Sequence, residues 1–195
     1  MVSTAIQPTP SQPGRPPIIS REAVIEAGLD LALREGVEAL SIRKLAAALG
    51  VTPRALYRHV RNKQDIVVGV IDRVVSHARV TDHAVPRTQW KDWLRATFGA
   101  MHRTLVEQPG VIPVLRYSLP FGPAAAAVVD EVVGVMCAAG LDRQSASDAM
   151  LALTSYTVGL AAMRSTAPAT DSNNTTNTDP FADGFEVVLA GIGRE

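Results

Sequence analysis

Two helix starts lie eleven residues apart, at Ser41 and at Thr52-Pro53, with Gly50 between them. Ser41 can cap a helix in which Ile42, Leu45, Ala46 and Leu49 share one face, and Gly50 ends it. Thr52 then supplies a second cap and Pro53 a first helical residue that needs no amide hydrogen, so a new helix starts at once. Its apolar positions, Leu56 and Val60, predict that it runs from Pro53 to about Val60. Two helices of about two turns, joined by a tight turn holding a glycine, are a helix-turn-helix signal. Ala46 suits it, because a small side chain lets the helices cross closely, and Val51 can plug the turn.

The flanks are helical too. Ser20 caps a first helix through Val24, Ala27, Gly28, Leu31 and Ala32, ending at Gly36, with Glu22 at its positive end and Ile19 placed to staple onto Val24. Asn62 caps a fourth helix to about Ala78, and the polar run 81–87 reads as a linker. A long helix then carries Trp90, Trp93, Leu94, Thr97, Phe98, Met101 and Leu105 on one face and stops before Pro109-Gly110. A short helix is expected over Val111–Leu119, another from Pro123 to about Ala139, and a last long one from Asp142 to about Arg164. Residues 181–192 return to helical spacing, and no period-two strand pattern or internal repeat appears. The expected fold is all-α, with about nine helices: an N-terminal three-helix helix-turn-helix unit followed by a C-terminal helical domain.

Charge is distributed unevenly along this chain. The whole chain is neutral, but residues 1–80 hold eleven Lys/Arg against seven Asp/Glu, and residues 81–195 eight against twelve. Between Ser41 and Lys63 there are six basic side chains (Arg43, Lys44, Arg54, Arg58, Arg61, Lys63) and no acidic one. On a continuous third helix Arg54, Arg58 and Arg61 would share a face opposite Leu56 and Val60. A solvated face normally mixes both signs; a purely basic face on the second helix of this motif fits the DNA major groove. Arginine can fork onto guanine O6 and N7, so Arg54 and Arg58 are the candidates for base edges. Arg43 and Lys63, at the starts of the second and fourth helices, flank the motif as phosphate clamps, and the helix N-termini add amide donors.

Other classes are excluded or disfavoured. One cysteine, Cys137 in the apolar run VVGVMCAAG, allows no disulfide framework or Cys-rich zinc site. No phosphate-binding glycine loop, paired-histidine metal motif or Ser-His-Asp arrangement is recognisable, so neither an enzyme nor a metal or other cofactor is expected. The first residues hold no apolar run, and the longest mostly apolar stretch, Ala149–Met163, has fifteen residues, short of a membrane span. A cytoplasmic protein is expected. Residues 1–17, with five prolines, read as a disordered arm; 18–64 as the DNA-binding unit; and 65–195 as the helical domain, with a mobile loop at 166–180 rich in Thr, Asn and Asp.

The stretch LSIRKLAAALGVTPRALYRHVRNKQDIV resembles the DNA-binding helices of the TetR (tetracycline repressor-like) family of transcription regulators. The likeness covers about Ser20–Ala78 and includes Ser41, Ala46, Leu49-Gly50-Val51, then Leu56 to Val60 and Asn62-Lys63. It implies a DNA contact for Arg43, a backbone-contacting role for Lys63, and matches at the family's aromatic and His positions for Tyr57 and His59. The expected DNA-facing set is Arg43, Thr52, Pro53, Arg54, Ala55, Tyr57, Arg58, His59 and Lys63. Pro53, Arg54, Ala55 and Arg58 depart from the types used by the tetracycline repressors themselves, which implies a different operator. The resemblance implies a homodimeric repressor in which two motifs read a palindrome in double-stranded DNA and an effector releases them. DPFADGFEVVLAGI near the C-terminus also resembles the last helix of the tetracycline-repressor-type regulatory domain.

For the effector, a mostly apolar pocket with a few polar groups is expected. The lining set is Trp93, Phe98, Met101, His102, Leu105, Tyr117, Met136 and Tyr156, with Trp90, Thr154 and Met163 as further candidates, although spacing alone makes most of them core residues equally well. Ala149–Met163 is apolar around much of its circumference, with Ser155, Gly159 and Ala162 offering close approach, so it and residues 181–192 suit a helical dimer interface. The competing reading is a helical small-molecule-binding or protein-interaction module whose basic head reads no sequence.

Overall fold

The structure is a computed structural model in which residues 19–115, 122–166 and 179–192 are described. All described elements are helices: α1 Arg21–Glu35, α2 Ile42–Ala48, α3 Pro53–Leu56, α4 Lys63–Ala78, α5 Trp90–Glu107, α6 Ile112–Leu115, α7 Pro123–Ala138, α8 Arg143–Thr166 and α9 Pro180–Gly191, with 3-10 turns at Val37–Ala39 and Pro109–Val111. No described helix is long and apolar enough to cross a membrane. The expected arm at 1–17 lies outside the described residues, as does most of the loop expected at 166–180; at its edges Thr166 closes α8, Asp179 caps α9 and Pro180 opens it.

In the first four helices the caps act as the local chemistry dictates. Ser20 Oγ accepts from Ala23 N (3.1 Å), Ser41 Oγ from Lys44 N (3.2 Å), Thr52 Oγ1 from Ala55 N (3.3 Å) and Asn62 Oδ1 from Asp65 N (2.9 Å). Each satisfies one amide that its helix leaves unpaired, a cap bond worth roughly 0.5–2 kcal/mol. Gly50 takes φ +66°, the left-handed conformation that turns the chain between α2 and α3, and Val51 N returns to Ala46 O at 2.9 Å.

The third helix is shorter than its pattern suggests: α3 ends at Leu56, and the amides of Arg58 and His59 bond to the carbonyls of Ala55 and Leu56 (3.3 and 2.8 Å), tightening the chain into a turn. Val60 is buried and Asn62 must start α4, so little chain is left for another helical turn. Of the helix expected over Val111–Leu119, the described residues hold a 3-10 turn to Val111 and α6 from Ile112 to Leu115; residues 116–121 lie outside the described set.

The core has two lobes. The first gathers Val24, Leu31 and Ala32 of α1, Leu45 and Ala46 of α2, Leu56, and Ile66, Val67, Val70, Ile71 and Val74 of α4. Gly28 lets α1 and α4 approach closely, since a Cβ there would meet Ile66 at 3.0 Å and Val70 at 3.2 Å. This lobe does not end at residue 64: it follows α4 to Val74 and takes in Leu105, Ile112 and Ala161. The second lobe packs Trp93, Leu94 and Phe98 of α5, Val132 and Met136 of α7, Leu153 of α8, and Phe181, Phe185 and Leu189 of α9. α4 therefore joins a head to a four-helix body.

Candidate nucleic-acid interface

Leu56 and Val60 point into the head's core, 0% and 2% exposed, which turns the rest of the α3 turn outward. Thr52, Pro53, Arg54, Tyr57 and Arg58 are exposed there, Arg43 is exposed near the start of α2 and Lys63 at the start of α4; Ala55 and His59 are half-buried. Tyr57 is 56% exposed, so its ring is not simply core.

The six basic residues divide into two groups. Lys44 pairs with Glu35 at 2.7 Å, Lys63 Nζ donates to Glu38 O at 3.2 Å, and the Arg61 guanidinium lies 3.9 Å from Asp65. Arg43, Arg54 and Arg58, among the described residues, make no ion pair and no side-chain hydrogen bond. The acids missing from 41–63 are thus supplied by the flanks, but only to Lys44 and Arg61. Because α3 stops at Leu56, Arg61 leaves the three-arginine stripe; Arg54 and Arg58 remain as the free cations beyond the turn.

A residue the sequence reading passed over fixes this surface. Arg21, at the start of α1, donates to both carboxylate oxygens of Asp65 (2.7 and 3.1 Å) and to His59 O (3.0 Å), while Arg61 N also donates to Asp65 (2.9 Å). The hydrogen bonds from Arg21, helped by that from Arg61 N and opposed by burial, hold the Asp65 carboxyl below its usual range. The turn bearing Arg58 is thereby tied to α1 and α4. No local pattern could have marked Arg21, since its partners lie 38 and 44 residues away.

In the body the expected lining set is dispersed. Trp93, Phe98 and Met136 are interior to the second lobe and Leu105 to the first, while Met101 packs against both. The Tyr156 hydroxyl donates to the carbonyls of Pro180 and Phe181 (2.9 and 3.1 Å) and seals α8 to α9 over Gly184, where any Cβ would strike the phenol. Tyr117 lies outside the described residues. Of the described members of the set, only His102 borders the cleft between α5 and α9. Three or more His, Cys, Asp or Glu able to hold a metal ion are nowhere grouped among the described residues.

α4 is fastened to the body by a contact that sequence did not reveal. Asp72 Oδ1 accepts from the amides of Ala124 and Ala125 (2.7 and 3.0 Å), so a carboxylate of α4 caps the N-terminus of α7. Gly122 makes room for it: a Cβ there would lie 2.5 Å from Asp72 Cγ.

A three-helix head with an exposed cationic turn, carried by one long helix on a helical body, is the architecture of a helix-turn-helix regulator. The chain belongs to the tetR family of bacterial regulatory proteins: that family's model matches residues 24–70, and the tetracyclin repressor-like C-terminal domain matches residues 84–175. It is 29% identical over 143 residues to an HTH-type transcriptional regulator of Saccharopolyspora erythraea, covering 73% of this chain and 60% of that protein. It is 30% identical over 138 residues to the class A tetracycline repressor protein from transposon 1721 in Escherichia coli, covering 70% and 62%. The chain thus spans about three fifths of the length of these curated relatives. The structure of the Streptomyces coelicolor TetR family protein ActR in complex with (S)-DNPA shares the fold, with a TM-score of 0.73 at 21% identity, over 89% of this chain and 96% of that one.

Proposed function

We propose that this chain is a ligand-responsive, sequence-specific DNA-binding regulator that grips a palindromic operator as a homodimer and is released by a small-molecule effector. The observation that carries this reading is the trio Arg43 on α2, Arg54 on α3 and Arg58 on the turn that Arg21 and Asp65 tie to α1 and α4, all exposed and without acidic partners among the described residues. Residues 18–64 form the reading head in this account and 65–195 the effector and dimerisation domain, with the protein acting in the cytoplasm as a repressor. Arg54 and Arg58 meet base edges, while Arg43, Tyr57 and Lys63 meet phosphates. The names of the relatives support both halves of the reading, since one is a tetracycline repressor and ActR holds (S)-DNPA.

The dimer is supported by what α8 and α9 leave uncovered. Leu151 and Val187 are 66% and 76% exposed, and Gly159 and Gly191 on the same helices have open space where a Cβ would sit. A second copy on this face would cover the apolar side chains and set two heads at the spacing of about 34–36 Å that one DNA turn demands. An effector acts only if it binds the DNA-incompetent arrangement better than the competent one. α4, held by Asp72 to α7, is the element through which that preference reaches the head.

A selection of double-stranded fragments from a random library, at stated salt, tests the reading. The expected result is enrichment of an inverted repeat by the native chain and none by the Arg54→Ala/Arg58→Ala double variant at unchanged melting temperature. Equal, salt-sensitive retention of all fragments by both proteins would overturn it.

A further inference from the structure

His102 stands on the inward side of α5 and is 7% exposed, yet its Nε2 has no hydrogen-bond partner among the described residues. Buried polar atoms are nearly always paired, because an unpaired one has lost its water and gained nothing. The ring is stacked on Phe181 of α9 with centroids 4.3 Å apart and planes 14° from parallel. The same nitrogen-bearing ring borders a cleft of about 320 Å³ between α5 and the start of α9, walled by Gly99, Phe181 and Ala182. Burial, then the positive charge of Arg164 and of Arg103, outweighs the pull of Asp179 and holds the imidazole below its usual pKa. It is neutral at neutral pH and can donate or accept according to its tautomer.

The charged rim of the cleft is unevenly used. Arg95 is engaged by Glu186 at 2.5 and 2.8 Å and by Asp92 at 2.6 Å, and Asp179 accepts from Phe181 N at 3.1 Å as the cap of α9. Arg103, exposed beside Gly99, makes no ion pair among the described residues. A cation without a partner among the described residues, a histidine whose buried nitrogen has none, and an apolar wall thus border one volume. The volume lies at the small end of the roughly 300–1,000 Å³ typical of ligand pockets.

We propose that this α5–α9 cleft binds the effector and that the effector is a flat aromatic acid of one or two rings. Its carboxylate meets Arg103, a polar ring substituent meets Nε2 of His102, and the ring lies along Gly99, Phe181 and Ala182. The assignment rests on the reading of the chain as a ligand-responsive regulator, but the binding itself is measurable without DNA.

Titration calorimetry on the full chain with hydroxynaphthoate tests it, with naphthalene carboxamide and cyclohexanecarboxylate as controls. Hydroxynaphthoate is expected to bind and the controls to bind at least tenfold more weakly. Gly99→Leu, which fills the cleft while favouring the helix, should abolish binding. Arg103→Gln should weaken it about tenfold or more, as loss of a charge-assisted hydrogen bond does. His102→Phe keeps the stack on Phe181 and should weaken binding by up to about tenfold without lowering the melting temperature. No binding at millimolar concentration, or binding untouched by all three variants, overturns the cleft assignment. Release of a selected DNA fragment by the naphthoate, lost in Gly99→Leu, would join cleft and function. Release by some other compound that Gly99→Leu leaves intact would overturn the cleft while the regulator stands, and binding at the cleft with no effect on DNA would overturn the cleft's role as effector site.

Discussion

The head starts each of its helices from a local cap, whereas the body does so at α8, from Asp142, and at α9, from Asp179, but not at α5 and α7. In the head every α-helix opens on a cap from its own sequence, at Ser20, Ser41, Thr52 and Asn62, and Arg43, Arg54 and Arg58 lie outside the packing. In the body Gln89 and Gly122, which precede α5 and α7, form no side-chain cap bond among the described residues; α7 takes its cap from Asp72, 52 residues earlier on α4. A local cap ties a helix start to its own sequence rather than to another element. A helix capped from another element must move with that element. The difference suits a rigid reading head on a body whose arrangement a ligand can shift.

The sharpest way to break the comparison is at the outer face of α8. Leu151→Arg puts a charge where a second copy would pack and should yield monomers in sedimentation. Operator affinity should then fall by roughly a hundredfold to ten-thousandfold as the linkage between two heads is lost, with the head's fold untouched. Arg54→Ala or Arg58→Ala should each cost about 1–3 kcal/mol in operator binding while leaving both melting temperature and dimer intact, measured by fluorescence anisotropy against specific and random DNA.

Asp72→Ala removes the long-range cap and should destabilise the chain by about 0.5–2 kcal/mol in urea unfolding, and should also alter how effector changes operator affinity. Ser41→Ala, a local cap in the head, should cost a similar amount but leave that coupling unchanged. Should the two variants behave alike, the head–body distinction fails.

Acid acts on the two regions with the same sign but in different windows. The folded pKa of Asp65 is depressed, so its contribution is present above the ordinary aspartate range and is lost as pH falls through the folded value. His102 is also depressed, and because its unfolded form takes up a proton first, stability drops earlier, as pH falls through the ordinary histidine range toward the folded value. His102→Phe should remove the upper phase of a stability-against-pH curve, and Asp65→Asn should shrink the lower one, which Glu131 and Glu186 of the body share. The smallest expected effect is that of Lys63→Ala: a uniform weakening across DNA sequences with the salt slope reduced by about one.

Most of the head was legible because its determinants are local. Caps, Gly50 and the burial of Leu56 and Val60 follow from residues a few positions apart, and the exposure of Arg54 and Arg58 follows from that burial. The end of α3 was misjudged because Leu56 and Val60 keep helical spacing across a turn that the start of α4 cuts short. The engagement of Arg61 depends on Asp65, just past the run that lacks acids. The body was legible as helices but not as a pocket: Trp93, Phe98 and Met136 have the residue types of either a lining or a core, and only packing assigns them to the core. Arg21 with Asp65, and Asp72 with Ala124, are joined by folding alone, so no window of sequence contains them.

Footprinting of the purified chain on the DNA flanking its own gene, at stated salt, tests the central claim most directly. The account predicts protection of an inverted repeat whose half-sites lie about one helical turn apart, lost in the Arg54→Ala/Arg58→Ala variant. Protection that spreads evenly without a repeat, persists in that variant and fades only with salt would contradict it.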